Sequence, residues 1–143
     1  LLNRAEGEQI MKVRIYTVVI GMLVLCLVYL QWGRNVEVCN TQLRTSNDYC
    51  EQNITVIANK VWIGNRKKFG HDMIQKCIDN SFDKMRFSYD LQCPNELVIQ
   101  VYTNKIGYSI GEPDFVVHFK NKEKDGKYNI LDNPEKFEMV IEK

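Results

Sequence analysis

The chain has 143 residues, 45% of them hydrophobic and 26% charged, with a formal net charge of +1. That length allows one domain with appendages, and the near-neutral balance excludes a strong global field for nucleic acid or an acidic substrate. The average conceals a segregation: no charged side chain occurs from Ile15 to Gly33, whereas the rest is rich in Lys, Glu, Asp and Asn.

In chain order the first feature is the polar tail LLNRAEGEQI before Met11. Glu6-Gly7-Glu8 can be encoded by a purine-rich stretch that matches a bacterial ribosome-binding sequence. Residues 1–10 are therefore expected to be upstream sequence read in frame, with translation from Met11 in a bacterium. On that reading the Asn53-Ile54-Thr55 sequon is a coincidence and carries no sugar.

The run IYTVVIGMLVLCLVYLQWG follows. As a helix it would be about 28 Å long, close to the ~30 Å hydrocarbon core of a bilayer. It is apolar all round, with Ile15, Val18, Leu23, Leu25, Leu27 and Leu30 spread over every side, so water suits none of its faces. Tyr29 and Trp32 at its far end fit the membrane–water interface. A buried central helix is the first alternative, but so small a domain could hardly surround it. A cleaved secretory signal is the second, since MKVR is a good n-region. VYLQWG offers no small-x-small cleavage pattern, and Leu25 before Cys26 does not suit a lipoprotein signal. A permanent anchor over residues 11–33 is the expectation. Lys12 and Arg14 outweigh Arg34, which places the amino terminus in the cytoplasm and residues 34–143 outside.

Beyond the anchor, no proline occurs before Pro94. Val36, Cys39, Leu43, Ser46, Cys50, Ile54, Ile57 and Val61 recur at three- and four-residue spacing. This predicts a second, amphipathic helix over 36–62, continuing the first with a bend at Gly33. Leu43, Ile54, Ile57 and Val61 form its packing stripe, for a protein partner or for self-association. The sequence WIGNRKKFG then supplies a loop, completing a segment over 34–70. Its cluster Arg66-Lys67-Lys68 is expected to be solvated, with a lipid-headgroup or polyanion contact as the alternative.

Residues 71–143 are expected to form an extracytoplasmic head. From Asp72 to about residue 84, Met73, Ile74, Cys77, Ile78 and Phe82 share a helical face. Four stretches of period two follow, over 85–91, 97–101, 115–119 and 137–141. Turn signals separate them at Cys93-Pro94-Asn95, Gly111–Asp114, Asp125-Gly126 and Asp132-Asn133-Pro134. The fold class is α+β: a transmembrane helix running into an amphipathic one, then a short helix on a small antiparallel sheet.

Of five cysteines, Cys26 lies in the apolar run and reads as a small apolar residue. The other four invite two disulfides. On a single helix Cys39 and Cys50 are ~16 Å apart, whereas a bridge needs Cα atoms within about 7 Å. Cys77 with Cys93 is the easier pairing, tying the short helix to the loop after the first strand. No pair has the C-x-x-C spacing of a zinc site.

Catalytic signals are absent. His71 stands in Gly70-His71-Asp72 at a helix start and suits a turn or cap. His118 lies on the polar face of a strand. The carboxylates are dispersed, and the eight glycines form no phosphate cradle. No catalytic residue, cofactor, metal or small-molecule substrate is expected. A hydrophobic helix from Ile15 to about Val61, followed by a head of 85–142 strands, resembles the layout of type IV pilin-like and Tad-type pseudopilin proteins. That resemblance implies a helix that holds the subunit in the membrane and then packs into a filament. The sequence departs from the pilin pattern where Gly7-Glu8 is followed by Lys12 and Arg14, charges unsuited to a filament core. The expected function is thus a membrane-anchored surface protein whose head binds or assembles. A pilin-like subunit is the alternative, and an extracytoplasmic enzyme comes third.

Overall fold

The computed structural model describes residues 2–123 and 126–143. Leu1, and the Asp125 half of the expected Asp125-Gly126 turn, lie outside the described residues. The protein is α+β: among the described residues a long apolar helix precedes a five-stranded sheet with two further α-helices and a 3-10 turn at Pro134–Lys136. It divides into two compact units, one ending at Arg34 and one spanning Asn35–Lys143.

Helix α1 spans Leu2–Trp32. Its apolar side chains are exposed on every side, and none of the apolar stretch is buried within the protein. Thr17 folds its hydroxyl back onto the Val13 carbonyl at 2.9 Å, so the threonine hydroxyl near the start of the run is satisfied internally. The helix stops at Gly33, whose N–H donates to the Tyr29 carbonyl at 2.8 Å. A Cβ at Gly33 would lie 2.4 Å from the Tyr29 ring, so glycine is what this close turn requires. Arg34 reaches back and donates to the Leu30 carbonyl at 3.1 Å.

The expected helix over 36–62 is instead a β-hairpin. Strand β1 (Glu37–Ser46) pairs antiparallel with β2 (Tyr49–Ile57) around a two-residue turn. Asn47 takes the left-handed conformation there, with φ of 50°, which Asn tolerates and tight hairpin turns demand. The physical reason is the β-branched content of the segment and a period-two burial along β2. Cys50, Gln52, Ile54 and Val56 point inward while the residues between them are half-buried. The helix on which the pilin-like layout rested therefore ends at Trp32 rather than near Val61.

After β2 the chain crosses the sheet as helix α2 (Arg66–Ile78) and returns as β3 (Glu96–Tyr102), parallel to β2. A helical crossover is what a parallel neighbour needs. The stretch expected as a loop thus begins the helix: Asn65 caps it by accepting from the Lys68 N–H at 2.9 Å. The helix ends in a Schellman motif. Asn80 sits at φ 53°, with Asn80 and Ser81 N–H groups donating to Cys77 and Lys76 carbonyls at 3.2 and 3.0 Å. Short helix α3 (Lys105–Ile110) leads to β4 (Phe115–Asn121), and β5 (Phe137–Glu142) closes the sheet. The order is β1-β2-β3-β4-β5, with the β2–β3 pair parallel and the rest antiparallel. The sheet is therefore mixed rather than antiparallel throughout. Because the hairpin belongs to this sheet, no boundary falls at residue 70.

The core lies between α2 and one face of the sheet. Phe69, Met73, Ile74 and Cys77 of α2 meet Ile54, Val56, Leu97, Ile99, Val101, Phe115 and Val117. At Gly70 the helix comes so close that an added Cβ would lie 2.9 Å from Met139 Sδ and 3.3 Å from Val117. The strand expected over 85–91 does not form; that stretch is a loop folded over the core. Phe87 is buried, with its ring edge-on to Phe82 and stacked on Tyr89, while Leu91 is 90% exposed.

Candidate functional site

The sheet face away from α2 carries a polar cluster built from four strands. Alternation along β3 and β4 turns Glu96 and His118 to this side, and the register sets Val98 opposite His118 and Lys120 opposite Glu96. Two carboxylates flank the imidazole. Glu96 Oε1 stands 3.8 Å from Nδ1, and Glu142 Oε2 of the edge strand β5 stands 3.4 Å from Nε2. The Tyr49 hydroxyl, from the start of β2, donates to the other oxygen of Glu96. Four strands' side chains thus meet in one line, of which Glu96 and His118 are largely covered and Glu142 is open to solvent. Burial, then the hydrogen bond and charge of Glu96, push the Tyr49 phenol up from its ordinary range. It stays protonated at neutral pH, a donor and not a base.

A groove of about 560 Å³ opens beside this cluster, lined among others by Asp48, Tyr49, Glu96 and Lys120. Its donors and acceptors of both signs can hold a polar group of a partner. Among the described residues no group of three or more His, Cys, Asp or Glu side chains is arranged to hold a metal ion.

The structure scatters the residues picked out from the sequence. Ile15, Val18, Leu23, Leu25, Leu27, Leu30 and Trp32 all lie on α1, exposed, as do Lys12 and Arg14. The stripe of Leu43, Ile54, Ile57 and Val61 does not exist, because residues three apart on a strand face opposite ways. Ile54 is in the core, and Ile57 is buried on the other face beside Tyr102. Leu43, 52% exposed, lies on edge strand β1, and Val61 is exposed in the loop after β2. His71 sits within α2 with its side chain exposed, and takes no capping role.

No disulfide joins Cys77 to Cys93, and all five cysteines are free thiols. Cys77 is fully buried beneath α2, where burial pushes its thiol up to about 12. Cys93 is partly buried against the core, its thiol donating to Asn129 Oδ1 at 3.4 Å. Cys39 and Cys50 lie toward opposite ends of the hairpin: Cys50 is paired with Thr45, about 20 Å along β1 from Cys39. The cluster residues Tyr49 and Glu96 were not singled out from the sequence. Each is an ordinary polar residue at a strand start, and only the register brings them to His118.

No protein-family model, curated protein or solved structure matches this chain.

Proposed function

We propose that the chain is a single-pass membrane-anchored protein whose head is a binding or assembly module without catalytic activity. The observation that carries this reading is α1. It is 31 residues of helix, long and apolar enough to span a bilayer, with its apolar stretch wholly unburied by the rest of the protein. A soluble protein would leave that surface to water at a cost of about 25 cal/mol for each Å². Lys12 and Arg14 before the apolar run, against Arg34 after it, orient the amino terminus to the cytoplasm and the head outside. The head contributes an edge to the reading. From Asn40 onward β1 is exposed, and its outer backbone groups have no strand beside them among the described residues. Such an edge pairs readily with an extended segment of a partner or of a second copy.

Three measurements test this. Extraction of membranes with alkaline carbonate should leave the full chain in the pellet; release to the supernatant contradicts an anchor. A membrane-impermeant maleimide should label Cys39, exposed on β1, in intact cells. Labelling that appears only after permeabilisation reverses the orientation. A photo-crosslinker replacing Gln42 on β1 should then give a discrete adduct with a protein, and none with a Pro at Thr41 if main-chain pairing is the mode.

A further inference from the structure

One end of the head differs in chemistry from the rest of its surface. The strand register puts the start of β1, the ends of β2 and β3, the start of β4 and the end of β5 together. Glu37 is opposite Ile57, Ile57 beside Tyr102, Val101 opposite Phe115, and Val116 opposite Glu142. The loop after β2 is held to this end by the Lys60 N–H, which donates to the Thr103 carbonyl at 3.0 Å. The start of α2 is held by Arg66, whose guanidinium lies 5.3 Å from the centre of the Phe115 ring.

The exposed apolar side chains gather here. Among the described residues the head has seven large ones: Leu43, Val61, Trp62, Leu91, Ile106, Tyr108 and Ile110. All but Leu43 and Leu91 belong to this end. Ile106 and Ile110 stand one turn apart on α3 and are each 73% exposed. The Tyr108 ring packs edge-on against Tyr102 at 5.2 Å, fixing α3 to the sheet end so that the two isoleucines project from it. Beside them Arg66, Lys67 and Lys68 are all exposed in the first turn of α2. The acidic groups nearby are partly occupied: Glu37 pairs with Lys105 at 3.3 Å, and Asp114 accepts from the Thr103 N–H at 2.6 Å. Glu112 after α3 and Glu142 at the end of β5 remain open, so the surface is apolar, with Trp, Tyr and Ile beside the local cation cluster of Arg66, Lys67 and Lys68.

That composition is the one that lies in a membrane interface, where apolar rings enter the headgroup boundary and Lys and Arg meet lipid phosphates. The sequence places only Gly33 and Arg34 between Trp32 and the head's first residue, Asn35. An extended tether of that length reaches about 10 Å. On the anchor reading above, on which this inference rests, the bilayer surface is within reach of the chain's entry into the head. We infer that this end of the head, through Trp62, Ile106 and Ile110 with Arg66, Lys67 and Lys68, docks on the surface of an anionic phospholipid bilayer.

Trp32 and Trp62 are the only tryptophans in the chain, so each can be read alone. The full chain, as Trp32→Phe or Trp62→Phe, is reconstituted into phosphatidylcholine vesicles with or without one part in four of phosphatidylglycerol. A doxyl label near the lipid headgroup serves as quencher. Trp62 should be quenched about twofold more in the anionic vesicles. The Lys67→Glu/Lys68→Glu and Ile106→Ser/Ile110→Ser variants should each abolish that difference. A flexible Gly-Ser insert after Gly33 separates binding from passive proximity: docking keeps Trp62 quenched, whereas proximity imposed by the tether is lost. Trp62 unquenched while Trp32 is quenched overturns the docking surface and leaves the anchor standing. Trp32 unquenched as well removes the anchor itself.

Discussion

The side chain of Asn80 takes both backbone hydrogen bonds of Phe87: its Nδ2 donates to the Phe87 carbonyl at 2.8 Å, and its Oδ1 accepts the Phe87 N–H at 2.7 Å. One amide thereby does for Phe87 what a neighbouring strand would otherwise do. The same residue closes α2 in the left-handed conformation, so the end of the helix and the fold of the following loop are coupled.

Replacing Asn80 separates these roles. Asn80→Gly keeps the left-handed backbone and loses the clamp, and should cost about 1–3 kcal/mol for the orphaned backbone groups. Asn80→Ala adds backbone strain and should cost more. Near-UV circular dichroism melting of the detergent-solubilised chain measures both. Equal melting of the two variants would leave the conformational contribution without support.

Asn95 is a stronger joint. It is buried, accepts the Cys50 N–H at 2.8 Å, and donates to the Gly126 and Tyr128 carbonyls at 3.1 and 2.8 Å. Asn95→Ala leaves three backbone groups unmatched between β2 and the 126–131 loop. The expected loss exceeds 3 kcal/mol, on the order of a whole buried network. Hydrogen exchange should accelerate at Cys50 in particular; exchange unchanged there would contradict the role.

At Gly70 the close approach of helix and sheet sets the cost of a methyl group. Gly70→Ala should destabilise by about 1–3 kcal/mol through overpacking. The stiff, β-branched Val117 cannot yield as Met139 can. Met139→Ala in the same chain should recover part of the loss, and Val117→Ala a larger part. A double-mutant cycle reads the two couplings, and strict additivity would deny the contact.

Alkaline pH should expose the buried thiol. Cys77 in the folded chain keeps its proton up to about 12, whereas an unfolded thiol loses it near about 8.5. Its contribution is complete below the unfolded value and is lost as pH rises from there through about 12. Burial raises the phenols of Tyr49 and Tyr89 as well, so they add to the same decline above about 10. Cys77→Ala should flatten the fall in denaturant stability between about pH 8 and 11. In native protein Cys39 should react with iodoacetamide long before Cys77, and the reverse order would contradict this burial.

Two elements show why the fold was only partly legible. The 36–57 segment satisfies two periods at once: its apolar residues fall at helical spacing, while the alternation that marks β2 is masked by Gln52. That side chain points inward, 6% exposed, with Nε2 donating to Thr41 at 3.2 Å. A buried polar residue is invisible to a pattern built on hydrophobicity. The 85–91 stretch errs in the opposite way. Its alternation is real, but Asn80 answers the backbone of Phe87 locally, and no strand is recruited. The site residues were less legible still, because Tyr49, Glu96 and Glu142 meet His118 only through the pairing of distant strands.

By itself the sequence determined the apolar helix, the α+β class, and strands centred on Leu97–Val101, Phe115–Phe119 and Phe137–Ile141. Those features rest on local composition and period, which nearby residues alone specify. Tertiary structure decided that 36–57 pairs as a hairpin and that β2 lies parallel to β3. It also decided which side chains share a face. Those outcomes depend on where distant backbone donors and acceptors find partners, a property of the whole sheet and of no single segment.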